Sequence, residues 1–153
     1  MTQSLIPFAT VIEPRRWWRL HLAGLCVGLF AVGGSYAESR IWMTVGERRL
    51  AVTLADTEAA RAFAARLPMT LDMTDLNGNE KKFDLPQALP ANASRPETIR
   101  SGDLMLYGAN TVVLFYLTFD SSYSYTRLGR VNPPNGLAQA LGQRGVRVQF
   151  SRD

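Results

Sequence analysis

The sequence predicts a mainly β protein, a closed barrel of about eight strands carrying two short helices. Three observations predict it. After residue 38 most apolar residues alternate with polar ones, the period-two mark of half-buried strands. Only two stretches change to helical spacing, and turn residues recur at short intervals with no repeat and no linker. Strands in that number bury most economically by closing on themselves, because closure leaves no unpaired edge.

Each element has its own justification. Ile41, Met43 and Val45 alternate with polar or small neighbours, and after Gly46 and Glu47 the set Leu50, Val52, Leu54 repeats the pattern, which predicts a hairpin. Ala60, Phe63, Ala64 and Leu67 then fall at helical spacing. Asp56 or Thr57 serves as the cap, Glu58 sits near the positive end, and Pro68 stops the helix. Leu71 and Met73 alternate with Thr70, Asp72 and Thr74, and Asn77 with Gly78 marks a tight turn into a return strand from Glu80 to Leu85.

Residues 87–101 have no clear period, contain Pro90 and Pro96, and predict a long surface loop, a common place for function. Asp103 to Tyr107 and Thr111 to Phe119 are the most apolar strands. The second has apolar groups on both faces, so it needs cover on both, by the barrel interior and by something outside such as a helix. The polar segment from Asp120 to Thr126 leads into a strand from Arg127 to Val131. Leu137, Ala138 and Leu141 mark a second short helix ended by Gly142, and Val146, Val148 and Phe150 a last strand.

Residues 1–37 read as an export signal, with residues 38–153 as the single domain. Arg15, Arg16 and Arg19 precede the apolar stretch Leu20 to Val32, and Ser35 and Ala37 supply the small residues that place cleavage after Ala37. As a helix the apolar stretch spans about 20 Å at ~1.5 Å per residue, short of the ~30 Å hydrocarbon core. An uncleaved anchor is the alternative, and membrane contact is expected only through this segment if it is retained. Trp17 and Trp18 stand where a twin-arginine signal has a polar residue and phenylalanine, and Leu25 before Cys26 argues against a lipoprotein. The expected address is periplasmic or secreted.

The one histidine and one cysteine of the 153 residues, His21 and Cys26, both fall inside that signal. The exported domain is therefore expected to work without imidazole or thiol, without a disulfide, and with no metal or other cofactor. Carboxylate, arginine, hydroxyl and backbone chemistry remain. Losing the signal removes three arginines and Glu13, lowering the formal charge from +4 to about +2. No basic run with interleaved aromatics survives, so no nucleic-acid partner is expected.

Two blocks carry a resemblance: Asp75 to Pro86, reading DLNGNEKKFDLP, and Thr98 to Arg130, containing IRSGDLMLYG and SYSYTRLGR. With the order of strands and helices they resemble the bacterial cyclophilin-like domain family over nearly all of residues 40–150. The resemblance implies a closed β-barrel with two helices. It implies no assigned reaction, because that family is defined by fold. True cyclophilins isomerise X-Pro bonds with an arginine beside an apolar proline pocket; this chain lacks their phenylalanine-glycine-glutamine-rich stretch, so the resemblance transfers no catalytic residue. If the protein is an enzyme, a periplasmic peptidyl-prolyl isomerase is the alternative, with Arg100 and Arg127 as the residues to test.

The main reading is binding of a small molecule or peptide of unknown identity. Tyr123, Tyr125 and Arg127 are spaced by two, so on a strand they share a face where tyrosines stack on a ligand and arginine pairs with an anion. A rim cluster that satisfies its own hydrogen bonds is the alternative. Arg100 and Asp103, at the end of the long loop, form one side of the same pocket or else pair with each other in a turn. Glu80 and Asp120 make a weaker carboxylate pair. Lys81 and Lys82 read as a solvated edge that discourages strand addition.

Overall fold

The computed structural model describes residues 39–153. The export segment read over residues 1–37 lies outside them. In chain order the described elements are β1 (Arg40–Val45), β2 (Arg48–Leu54), α1 (Glu58–Ala65), β3 (Met69–Leu76), β4 (Glu80–Asp84), β5 (Thr98–Ile99), β6 (Asp103–Tyr107), β7 (Thr111–Phe115), β8 (Phe119–Asp120), β9 (Thr126–Val131), α2 (Leu137–Leu141) and β10 (Val146–Ser151). Eight of the strands close an antiparallel barrel in the order β1-β10-β3-β4-β7-β6-β9-β2, with β2 returning to β1. β5 and β8 form a separate two-stranded sheet. The mainly β fold, the closed barrel and the two short helices are those the sequence predicts.

Alternation decides which side chains enter the barrel. Ile41, Met43 and Val45 of β1, Leu71 and Met73 of β3, Leu104 and Leu106 of β6, Val112 and Leu114 of β7, and Val148 and Phe150 of β10 make one buried cluster. Both helices add to it, α1 through Ala59 and Phe63 and α2 through Leu137 and Leu141. Of the two candidate caps for α1, Thr57 does the work: its hydroxyl accepts the Ala60 N–H at 3.0 Å, and it also donates to the Arg127 carbonyl at 2.8 Å. Asn77 and Gly78 both adopt positive φ, as the β3–β4 turn demands.

The structure differs from expectation in two places. The strand read from Thr111 to Phe119 ends at Phe115. Tyr116 still gives its backbone N–H to the Asn79 carbonyl, opposite it in the β4–β7 register, at 3.0 Å and its hydroxyl to Asp75 at 2.6 Å, and the chain leaves the ladder beyond it. Phe119 then pairs with Ile99 inside the long loop. The outer face of β6 and β7 is covered by that small sheet and its flanks rather than by a helix: Ile99, Met105, Val113, Phe115 and Tyr125 form a second buried cluster, with Phe119 packed against it.

Lys81 is the other correction. Its side chain is fully buried on the inward face of β4, not at a solvated edge. The three protons of its ammonium meet three acceptors: Asp75 Oδ1 at 2.5 Å, the Gly142 carbonyl at 2.7 Å and the Arg144 carbonyl at 2.8 Å. A buried ammonium is tolerable only when paired and fully hydrogen-bonded, and here the turn after α2 and the β3–β4 hairpin together supply what water would.

Phe63 is fully buried, and its ring meets Phe150 edge-on at 5.4 Å between centroids. Truncating it removes the largest buried side chain that α1 contributes to the core. Phe63→Ala is expected to destabilise by ~3–5 kcal/mol, read from urea unfolding followed by far-UV circular dichroism. A loss below about 1 kcal/mol would place the helix outside the cooperative core.

Candidate functional site in the outer wall of the barrel

The same alternation that sends Lys81 and Phe83 inward sends Glu80, Lys82 and Asp84 outward. Thr111 and Val113 of β7 and Tyr107 of β6 stand beside them on the outer wall. The segment between β8 and β9 folds back over this wall and contributes Tyr123 and Tyr125. Together with Leu76 and Asn77 of the β3–β4 turn these residues enclose a cavity of about 570 Å³, within the range of about 300 to 1,000 Å³ usual for small-ligand sites.

The aromatic side is built from the inside outward. Tyr125 is 7 % exposed and packs edge-on against Phe115 at 5.4 Å. Its backbone exchanges two hydrogen bonds of 2.9 Å with Ser94 of the long loop, which fixes its position. Tyr107 lies 5.7 Å from Tyr125 and 6.1 Å from Tyr123, centroid to centroid. Tyr107 and Tyr123 are nevertheless 47 % and 61 % exposed. Burial pushes the Tyr125 hydroxyl pKa up, so it remains a neutral donor and acceptor.

The polar side holds two carboxylates and one ammonium. Asp84 accepts the Thr111 hydroxyl at 2.7 Å and lies 3.4 Å from Lys82 Nζ. The Thr111 hydrogen bond first, and the Lys82 charge after it, hold its pKa below the usual carboxylate value. Glu80 is in the opposite situation. It is only 8 % exposed, and among the described residues no side chain or backbone group bonds to its carboxyl. Burial, then the Asp75 charge, raise its pKa, and Lys82 only partly opposes them.

Behind this wall lies the polar triad of Lys81, Asp75 and Tyr116. Asp75 accepts from Lys81, from the Tyr116 hydroxyl and from the Gly78 N–H at 3.1 Å. The Lys81 bond, then the Tyr116 bond, lower its pKa. Burial, with Asp75 as hydrogen-bond acceptor, pushes the Tyr116 hydroxyl up to about 12. All three groups are occupied with one another, so their part is to seat the β3–β4 turn and, through it, Glu80.

Of the candidate site residues the sequence singled out, the fold brings Tyr123, Tyr125 and Glu80 to the cavity and leaves Arg100, Asp103, Asp120 and Arg127 elsewhere. Arg127 is exposed on a separate shallow groove with Thr53, Leu54 and Arg130. The chain joins β6 only at Thr126, and Arg127, opposite Met105, keeps the outward face of Tyr125 but lies one step further along the strand, away from the cavity; the register shift between Leu104 and Met105 falls beyond it, at Leu128. Arg100 is exposed. Asp103 is buried in a turn, where its carboxylate accepts the Arg100 backbone N–H at 2.9 Å and lies 3.8 Å from the guanidinium of Arg130, not of Arg100. Asp120 is bonded to the Thr98 hydroxyl at 3.0 Å on the small sheet and does not line the cavity with Glu80.

Sequence reading missed Tyr107, Lys82, Asp84 and Thr111 as a site. One signal was available: Glu80, Lys82 and Asp84 share a strand face, as Tyr107 shares one with Met105 and Asp103. Which face looks outward required the barrel's closure. Among the described residues no group of three or more histidine, cysteine, aspartate and glutamate side chains is placed to hold a metal ion.

Glu80 gives a pH-dependent prediction. Its folded pKa lies above the unfolded value of about 4.3. Stability is therefore greatest below that unfolded value, where the carboxyl is neutral in both states, and is lost as pH rises through the raised folded value. Glu80→Gln should raise the thermal midpoint at about pH 7 and change it little at about pH 4. A midpoint lowered at about pH 7 and little changed at about pH 4 would mean that the carboxylate has a stabilising partner.

With the geometry in place, comparisons with known proteins fix its family. A model of the cyclophilin-like family matches residues 43–151. The solution structure of a hypothetical protein from Archaeoglobus fulgidus superposes with a TM-score of 0.57 at 19 % identity, covering 76 % of this chain and 95 % of that one. That likeness is one of fold alone. A search of curated proteins gave no match. The family match spans most of the chain and both blocks that carried the resemblance: the chain belongs to the cyclophilin-like family.

Proposed function

We propose that this is an exported cyclophilin-like domain that binds a small ligand or short peptide in the outer-wall cavity. The observation that carries the reading is the pairing of two largely exposed tyrosines, Tyr107 and Tyr123, across an opening lined by Val113 and Tyr125. Exposed aromatic surface gathered around a concavity, instead of scattered singly, is the usual form of a recognition site. The long loop takes part indirectly, through the Ser94 bonds that hold Tyr125. The export half of the reading rests on the charge and apolar pattern of residues 1–37.

Prolyl isomerisation, the alternative, finds less support here. Among the described residues the cavity lining contains no arginine, and Arg100 and Arg127 lie outside it. The cavity's cationic donor is Lys82, already beside Asp84. Hydrolysis is weaker still, since Glu80 and Asp84 are four residues apart on one strand, roughly 13 Å along the backbone at ~3.3 Å per residue.

A thermal-shift screen of small molecules and short peptides tests the binding reading. A true ligand at a hundredfold its Kd stabilises by about 2.7 kcal/mol. Tyr123→Ala should abolish that shift while moving the unliganded stability by no more than about 0.5 kcal/mol, because the side chain is mostly solvated. Hits indifferent to Tyr123→Ala would place recognition elsewhere. Amino-terminal sequencing of protein from the periplasm or medium is expected to begin at Glu38; an intact Met1 in a cytosolic fraction would remove the export half. A proline-peptide isomerisation assay with the parent chain and with Arg100→Ala and Arg127→Ala addresses the alternative, for which turnover lost in either variant is the supporting result.

A further inference from the structure

We propose that the occupant of the outer-wall cavity is an organic cation, an ammonium or guanidinium on an aliphatic stem, with Glu80 as its charge partner and Tyr107 and Tyr123 as its aromatic walls. This rests on the binding reading above and names the ligand class for that site.

Three independent observations point the same way. The first is charge balance. The cavity carries Glu80 and Asp84 against Lys82, and Lys82 lies 3.4 Å from Asp84 and acts on Glu80 only at longer range, leaving Glu80 without an ion pair among the described residues. The second is burial. Glu80 is 8 % exposed as a residue, and among the described residues its carboxyl, which still meets the cavity, has no hydrogen-bond partner. An incoming donor with positive charge supplies both the missing hydrogen bond and the missing charge. The third is the wall opposite, since tyrosine rings attract cations through their quadrupole and pack against apolar stems.

Other ligand classes fit less well. An anion would meet Glu80, Asp84 and, close behind the wall, Asp75, with the single ammonium of Lys82 already shared. A neutral apolar molecule would fill the aromatic half and leave Glu80 unpaired and drier than before. The groups that face Glu80 are Asp75 from β3, with Lys81 bonded to it, Lys82 and Asp84 on its own strand, Tyr116 beyond β7, and Tyr125 from the covering segment. Burial and Asp75 together favour the neutral acid. A bound cation favours the carboxylate, so the two titrations are linked and cation affinity rises with pH through the Glu80 transition.

The experiment uses the full chain and four probes of similar size and different charge: butylammonium, N-acetyl-lysine methylamide, butanol and butyrate. Binding is read by ligand-observed NMR. Both cations should bind at least about tenfold more tightly than butanol or butyrate, and Glu80→Gln should lower cation affinity about tenfold, leave butanol unchanged and flatten the pH dependence. Tyr123→Ala, at a solvated position, should weaken the cations without altering the fold. Tighter binding of the lysine amide than of butylammonium supports a peptide side chain as the source; the reverse order supports a free amine. If butanol or butyrate binds as well as the cations, or Glu80→Gln leaves cation affinity intact, the cation assignment is overturned while ligand binding at the cavity stands. If none of the four probes binds and the thermal-shift screen is also silent, both readings fall.

Discussion

Closure of the barrel is the constraint from which the rest follows. Once β2 returns to β1, every strand of the barrel has one face committed to the interior, and a shift of one residue in a strand would reverse all its side chains. On β4 this parity separates two neighbouring lysines into different roles. Lys81 goes into the core with Phe83, and Lys82 goes outward with Glu80 and Asp84. Composition treats the two lysines alike; register does not.

The buried Lys81 ammonium shows how the fold accommodates a charge it cannot expel. Its acceptors come from three places remote in sequence: Asp75 before the β3–β4 turn, Gly142 at the end of α2, and Arg144 in the approach to β10. Asp75 is also tied to Tyr116 and to Gly78. The network therefore ties the second helix, the β3–β4 hairpin and the exit of β7 into one unit. Because donors and acceptors are matched, the interior there is polar without leaving the ammonium unsatisfied.

The candidate site lies on the outside of the same wall, where the polypeptide doubles over its own barrel. β5 and β8 pair beyond the main sheet, seal Phe115 and Met105 from water, and bring Tyr125 down onto them. Where that cover stops, Tyr107 and Tyr123 remain in solvent facing Glu80, Lys82 and Asp84. The site is thus the open edge of an otherwise buried layer. Its rigidity comes from the barrel behind it, its aromatic wall from the segment in front.

Period and punctuation in the sequence by themselves determined the barrel strands (though not β5 and β8), the two helices, the Asn77–Gly78 turn and the closed barrel, because alternation, capping and turn chemistry are local properties that the fold only has to respect. They also brought Tyr123 and Tyr125 to notice. The tertiary structure alone decided that Lys81 is buried, that Tyr116 bonds Asp75, that Asp103 faces Arg130 and not Arg100, and that Arg127 stands apart from the tyrosines. Each of these depends on partners distant in the chain, which leave no periodic trace. Glu80 is the clearest case: its residue type is ordinary for a strand after a turn, and only the wall closing around it leaves the residue mostly buried with its carboxyl unpaired at the cavity.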